Sequence, residues 1–382
     1  MSKLDELIQQ YCPDGVEYKP LGEVCDIHKG VQFNKTDMKE EGSYPVINGG
    51  INPSGYVEVF NEEKETITIS QGGASAGYVN FIMTRFWLGA HCYAVRPTQQ
   101  VLNRYLYHFF KQNERTLQQC QYGAGIPALA KATIINLSIP VPPLPVQEEI
   151  VRILDNFAEL QAELQAELQK RLQQYIYYRD NLLSFEGRTD VEWKKLEDIA
   201  QVYDGVHQTP NYTTSGIPFI SVENIGNIYG SNKYISIQDF NSYKVKPQVG
   251  DLFMTRIGSI GICAVFDKEA DIAYYVSLAL IRPNSDIIST RYLKHIIESR
   301  IGRRELSKRT IHTAVPIKIN KNDIGKISLP IPPIKEQKRI ASILDKFYAL
   351  TTDITAGLPA EIEARRKQYE YYRDKLLTFK KK

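Results

Sequence analysis

The chain has 382 residues, 43% of them apolar and 24% charged, an ordinary globular composition spread over a length that excludes a single compact core. No apolar run approaches the roughly eighteen residues of a membrane-spanning helix, and the opening MSKLDELIQQYCPDG lacks an apolar leader core, so it reads as mature protein. A net charge of +3 excludes a chain that is basic throughout, and five scattered cysteines without a CxxC pair argue against a disulfide framework or zinc site and for a reducing cytoplasm.

From the N-terminus, YKPLGEV (18–24) opens a region of short β-branched and aromatic runs punctuated by Gly, Pro and Asn. TITIS, YVNFIM and CYAVRP read as strands, with a Gly/Ser turn inside TISQGGASAGYV. A helix is expected after Arg96–Pro97, at about 102–119. An Ile126–Pro127 pair follows, and prolines between 140 and 145 end the region, because consecutive prolines extend neither a ladder nor a helix. Beyond Pro145 the period becomes helical: Ile150, Ile153, Leu154, Phe157, Leu160, Leu164, Leu168 and Leu172 recur at three and four residues. Three consecutive AELQ tetrads (158–169) are built of strong helix formers. A helix over 148–185 would span roughly 55 Å.

The chain then repeats itself. WKKLEDI (193–199) opens a second region in which YISI, DLFMTRI and LALIRP read as strands and FMTRIGSIGICAV carries the Gly/Ser turn. A helix is expected after Arg282–Pro283, at about 289–306, and Val315–Pro316 matches the earlier Ile-Pro pair. LSIPVPPLPVQEEIVRILDNF (137–157) matches ISLPIPPIKEQKRIASILDKF (327–347), pairing Gln147 with Gln337 and Asp155 with Asp345. QYIYYRDNLLSF (174–185) matches QYEYYRDKLLTF (368–379). Such internal duplication outranks any local motif as a guide to architecture. Between the shared landmarks the two copies differ almost completely, so one scaffold carries two unlike faces. The second stripe, Ile340, Ile343, Leu344, Phe347, Leu350, Ile354, Leu358 and Ile362, is interrupted by Gly357 and Pro359, which predict a kink or break near 357–359. Phe157 to Tyr177 covers 20 residues and Phe347 to Tyr371 covers 24, so the first helix is one tetrad shorter.

The fold class expected is α+β. Two mixed α/β domains, 1–147 and 186–337, alternate with helices over 148–185 and 338–379 that pair antiparallel as a coiled-coil spacer about a pseudo-two-fold axis. Phe157, Leu160, Leu164 and Leu168 on one helix, with Phe347, Leu350, Ile354 and Leu358 on the other, are the expected packing residues. A lone amphipathic helix of this length must bury its stripe somewhere. The alternative is that each stripe is half of an ordinary two-helix core.

The PVPPLPVQEEI and PIPPIKEQKRI leads, the YYRDxLL exits and the AELQ tetrads together resemble the DNA-specificity subunits of Type I restriction–modification systems, over essentially the whole chain. The tandem tetrads look like those of the IC subgroup. The resemblance implies that 1–147 and 186–337 are target-recognition domains, each contacting one half of a split, asymmetric site in double-stranded DNA. It implies that the helices separate the half-sites and dock two modification subunits, with restriction subunits joining through the complex. S-adenosylmethionine, ATP and magnesium would belong to those partners, and this chain would be non-catalytic, with no cofactor and no metal. The residues agree: there is no Asn/Asp-Pro-Pro-Tyr/Phe motif, Gly325–Lys326 lacks the rest of a phosphate loop, and no His/Cys grouping has metal spacing.

Base readout needs polar side chains on exposed loops facing the major groove, and three loops per domain qualify. In the first, Lys29–Lys35 offers Lys29, Gln32, Asn34 and Lys35; Gln71–Gly77 offers Gln71 and Ser75; Tyr122–Lys131 offers Tyr122 and Lys131. In the second, Asp204–Asn211 offers His207, Gln208 and Asn211; Arg256–Gly261 offers Arg256 and Ser259; Arg309–Lys318 offers Arg309, His312 and Lys318. Lys131, Arg256, Arg309 and Lys318 suit phosphates better than base edges. The plainer reading makes these loops tight turns and no more. His207 and His312 have no acid or nucleophile at a catalytic spacing. Two rival functions remain open at this point: an enzyme with a dispersed carboxylate metal site, and an adapter whose two heads hold two proteins.

Overall fold

The structure, a computed structural model, describes residues 2–123, 125, 127–352 and 356–382. Ile354 of the second stripe and Ile126 of the first Ile-Pro pair lie outside them. The chain divides into two compact units, Met1–Gln165 with Glu361–Lys382, and Ala166–Ala360.

The first unit opens with helix α1 (Lys3–Tyr11). Its main sheet is antiparallel, with β1 (Cys25–Lys29), β2 (Thr66–Ser70), β3 (Val79–Ile82) and β4 (Cys92–Pro97) in the order β1-β4-β2-β3. Strand β2, the TITIS run, is buried along its whole length, as expected of a strand covered on both faces. A smaller sheet pairs Tyr44–Ile47 antiparallel with Tyr56–Val57 and parallel with Trp87–Leu88. Helix α2 (Asn103–Gln119) lays Tyr105, Leu106, Phe109 and Phe110 into the core. Helix α3 (Leu144–Leu182) starts in this unit and continues into the second.

The second unit repeats the two sheets and the core-helix region of this plan. Strands β5 (Ala200–Asp204), β6 (Leu252–Thr255), β7 (Cys263–Val265) and β8 (Leu278–Pro283) run in the order β5-β8-β6-β7, again antiparallel. Ile217–Ile220 pairs antiparallel with Tyr234–Ile235 and parallel with Ala273–Tyr274. One expected element differs: the helix written over 289–306 is two helices, α4 (Thr290–Glu298) and α5 (Arg300–Ser307). Ser299 breaks it with an extended ψ of 170°, and its hydroxyl caps the Gly302 N–H at 3.4 Å, the usual use of serine at a helix start. The last helical segment is also divided, into α6 (Ile334–Thr352) and α7 (Leu358–Leu376). Pro359 stands in the first turn of α7, where its missing N–H costs nothing.

The duplicated proline–glutamine motif has a physical reason. Gln147 is fully buried, and its Nε2 donates to the Pro142 carbonyl at 2.7 Å and the Gln100 carbonyl at 2.9 Å. Its Oε1 accepts from Leu102 N–H at the start of α2, at 2.8 Å. Gln337 does the same with Pro332 (2.8 Å), Ile287 (2.9 Å) and Ser289 (2.9 Å). Each glutamine thus fastens the long helix to the start of its unit's core helix, and satisfies backbone groups that burial would otherwise orphan.

Ile150 and Leu154 on α3, and Ile340 and Leu344 on α6, are fully buried in the core clusters of their own units. Only beyond them do helices pair. In the first unit Phe157 of α3 stacks on Tyr372 of α7 at 5.3 Å; in the second, Phe347 of α6 stacks on Tyr178 of α3 at 5.5 Å. The lead-in phenylalanine of one copy therefore meets the exit tyrosine of the other, which is antiparallel pairing by exchange. Phe157, Leu160, Leu164, Leu168, Phe347 and Leu358 are half-buried. Leu350 departs from expectation at 40% exposed, while Thr351 is buried. The inward face of α6 runs through Leu344, Tyr348 and Thr351, so the step of three from Phe347 to Leu350, about 60° less than a full turn, falls short of it.

Candidate nucleic-acid interface

The antiparallel sheets bring the candidate loops to one end of each unit. Lys29 faces Tyr93 and Ser70 faces Cys92 in the first, so β1, β2 and β4 meet there; Asp204 faces Ala279 and Thr255 faces Leu278 in the second. Backbone bonds then clamp the loops. Gln71 N–H donates to the His91 carbonyl at 2.8 Å, Leu129 N–H to Gln71 at 2.7 Å, and Gly73 N–H to Pro127 at 2.9 Å. The second unit repeats these bonds: Arg256 N–H to Ser277 at 3.0 Å, Ile319 N–H to Arg256 at 3.0 Å, and Gly258 N–H to Ile317 at 2.9 Å. The first loop joins the same segment, through Val31 N–H to Leu88 (2.9 Å) in one unit and Val206 N–H to Tyr274 (3.1 Å) in the other. Glycine is needed where these chains touch: a Cβ on Gly30 would lie 2.3 Å from the Gly89 oxygen, and one on Gly205 2.4 Å from that of Tyr275.

Most of the candidate side chains reach solvent. Lys29, Gln32, Asn34, Lys35, Tyr122 and Lys131 are exposed, as are His207, Gln208, Asn211, Ser259, His312 and Lys318. Gln71, Ser75 and Arg309 are half-buried, and Arg309 is ion-paired with Glu305 at 3.0 Å. Lys29, Lys35, Lys131 and Lys318 form no ion pair among the described residues, which leaves their charge free for an anion. At the tip of the third loop of the second unit, Val315 is fully exposed.

Arg256 is the correction. It is 7% exposed, ion-paired with Asp204 and donating Nε to the Ile319 carbonyl at 3.1 Å. Burial pulls its guanidinium below the usual arginine value. It follows a strand buried at every position, and its side chain, turned inward, ties the base of the first loop to the end of the third.

The Arg-Pro landmarks serve as struts in the same way. Arg96 pairs with the buried Glu62, which His28 also meets at 2.5 Å. Arg282 pairs with the buried Asp251, donating Nε at 2.9 Å and Nη2 at 2.7 Å. Equivalent arginines thus find buried carboxylates just ahead of the equivalent central strands, 34 and 31 residues back in the chain. Among the described residues, no group of three or more His, Cys, Asp or Glu is placed to hold a metal ion, and no helix is long and apolar enough to cross a membrane.

Against known proteins, the Type I restriction modification DNA specificity domain matches twice, at residues 13–174 and 189–364. The chain belongs to this family. It is 35% identical over 382 residues to the putative type I restriction enzyme specificity subunit S.HindORF215P of Haemophilus influenzae, covering 95% of this chain and 96% of that one. It is 31% identical to the EcoR124I/EcoR124II specificity subunit of Escherichia coli, covering 100% and 98%. The fold agrees with the S subunit from M. genitalium, with TM-score 0.60, 17% identity and 95% of both chains covered. It also agrees with a chain from a structure of type I R-M complex assembly and conformational transition, with TM-score 0.57, 16% identity and 96% and 98% covered. Membership makes this a DNA-specificity subunit, and the two family matches make target recognition the work of two domains.

Sequence reasoning missed one pair of residues that the specificity subunit uses twice. His108 and His295 are both fully buried, and each meets an aspartate and a tyrosine from the long helices. The signal was present as Arg104-Tyr105-Leu106-Tyr107-His108 against Arg291-Tyr292-Leu293-Lys294-His295, inside regions that otherwise diverge.

Proposed function

We propose that each unit reads one half of a split, asymmetric site in double-stranded DNA, using its three clamped loops, while the helices fix the half-site spacing and dock two modification subunits. The observation that carries this reading is the repeated loop frame. The same backbone bonds hold three loops at one sheet end in both units, yet the side chains they present are unlike. That is the arrangement needed to read two different half-sites through equivalent geometry, with phosphate contacts positioning and base-edge contacts specifying. Tyr177 and Tyr371, at matched positions on α3 and α7, are 64% and 61% exposed. They offer each modification subunit the apolar area with a hydrogen-bonding tip that interfaces favour.

In this reading the chain performs no chemistry. S-adenosylmethionine binding and adenine methylation belong to the modification subunits, and ATP- and magnesium-dependent cleavage to restriction subunits, all in the cytoplasm. The AELQ tetrads support a reading within the IC subgroup, whose central helices they resemble. The test is the methylome of a host with and without this gene, its modification partner being present in both. A split adenine-methylated site that appears only with the gene supports the reading. An unchanged methylome, or methyl transfer by the purified chain alone, contradicts it.

A further inference from the structure

Each unit contains one histidine latch joining its core helix to both long-helix copies. In the first, His108 of α2 lies with Nε2 2.8 Å from Asp155 Oδ1 on α3 and Nδ1 3.1 Å from the Tyr369 hydroxyl on α7. In the second, His295 of α4 lies with Nε2 2.8 Å from Asp345 Oδ1 on α6 and Nδ1 3.2 Å from the Tyr175 hydroxyl on α3. An ionised carboxylate only accepts, so Nε2 carries a proton in both rings; burial disfavours charge on His108, whose Nδ1 then accepts from the Tyr369 hydroxyl. Arg104 and Arg291 donate to the same aspartates, at 3.2 Å and 2.9 Å. The ILDxF lead-ins and the QYxYYRD exits are therefore the two halves of one device, split between the copies.

Apolar burial already holds each head to its helices, through Ile150 and Leu154 or Ile340 and Leu344. Such contacts are non-directional and resist separation more than rotation. A hydrogen bond weakens steeply as its angle opens. Two bonds from one rigid ring to two helices constrain the angle of the head about the helix axes, which apolar contact leaves loose. Angle matters here because one base-pair step turns DNA by roughly 35°.

We propose that His108 and His295, each with its aspartate and tyrosine, are positioning residues that fix the angle at which a recognition head is carried on the helices. They thereby set how strictly the complex rejects a spacer one base pair too long or too short. The proposal rests on the half-site reading given above. Tyr175→Phe and Tyr369→Phe each remove one hydroxyl and keep the ring. With modification subunits present, affinity is measured on duplexes carrying both half-sites with the native spacer and with spacers one base pair longer and shorter. Either variant loses about tenfold of its preference for the native spacer, the worth of one buried hydrogen bond of ordinary strength, with half-site sequences unchanged. His295→Gln, which can still donate to Asp345, keeps more of the preference than His295→Ala. Unchanged spacer preference in both tyrosine variants overturns the proposal, whatever happens to their melting temperatures. A wild-type complex indifferent to spacer length overturns the half-site reading itself, and the latch with it.

Discussion

Replacing Arg256 by methionine separates a strut from a DNA contact. The substitution keeps most of the apolar stem but leaves the Ile319 carbonyl and the Asp204 carboxylate without their donor. Removing one partner of a fully buried pair costs about 3–5 kcal/mol. The Asp204 side chain keeps 27% of its exposure, so water recovers part of that loss and about 1–3 kcal/mol remains. Urea denaturation of the variant reads the stability, and a salt series of DNA affinity with modification subunits present reads the phosphate contacts. The expected result is a lowered unfolding midpoint with an unchanged slope of log affinity on log salt. Lys318→Ala, an exposed and unpaired cation, gives the opposite pattern: stability intact and a slope smaller by about one. A slope reduced by about one in Arg256→Met, with stability unchanged, would show that Arg256 leaves its buried site to neutralise a phosphate, and the strut argument would fall.

Deleting the tetrad Ala162–Gln165 shortens α3 by about 6 Å and turns it by a net of about 40°. Methylome sequencing of the variant should show a shorter non-specific spacer and both half-sites intact; altered half-sites would contradict this. Gln147→Leu fills the same volume but orphans the Pro142 and Gln100 carbonyls and the Leu102 N–H, at a cost of about 2–4 kcal/mol, whereas a loss below about 1 kcal/mol would remove the glutamine's role as a fastener. Acid should weaken the first unit. Burial holds His108 below its ordinary value; burial also works to raise Asp155, but the bonds from His108 and Arg104 hold its carboxyl down at about 2. Tyr369, Arg104 and Arg373 face the same histidine. Both groups bind more protons unfolded than folded, so their contribution is full above about pH 6.5 and is lost as pH falls, first through the histidine window and then below about 4. His108→Gln should flatten the dependence of melting temperature on pH between about 5 and 6.5, and an unaltered slope there would contradict the assignment.

Much of this architecture was legible because it is written twice. The duplication alone gave two like units and two helices, and strong periodicity gave the helical stripes. Boundaries set by a single side chain were less visible: Ser299 divides one expected helix by capping its own successor, a choice the flanking apolar pattern does not record. Leu350 was misplaced because a stripe of spacing three or four has two solutions at Phe347–Tyr348, and only packing chooses between them. The loops were legible as Gly-rich interruptions between strands. Arg256 was not, since a loop arginine reads the same whether its guanidinium faces solvent or a carboxylate 52 residues away in the chain. The histidine latches escaped for a related reason: a buried His is recognisable only with its partners, and of these the aspartate lies 47 or 50 residues on in the same copy and the tyrosine on the other copy's helix.

The central claim is that two unlike faces on one repeated frame read their half-sites independently. Changing His207, Gln208 and Asn211 together to alanine alters one loop of the second unit and nothing in the first. The methylome of a host carrying this variant, with its modification subunits, is the most direct measurement. The account predicts that one half of the split site relaxes or changes while the other half and the spacer stay as they were. Simultaneous change in both halves, or methylation at a continuous site, would contradict it.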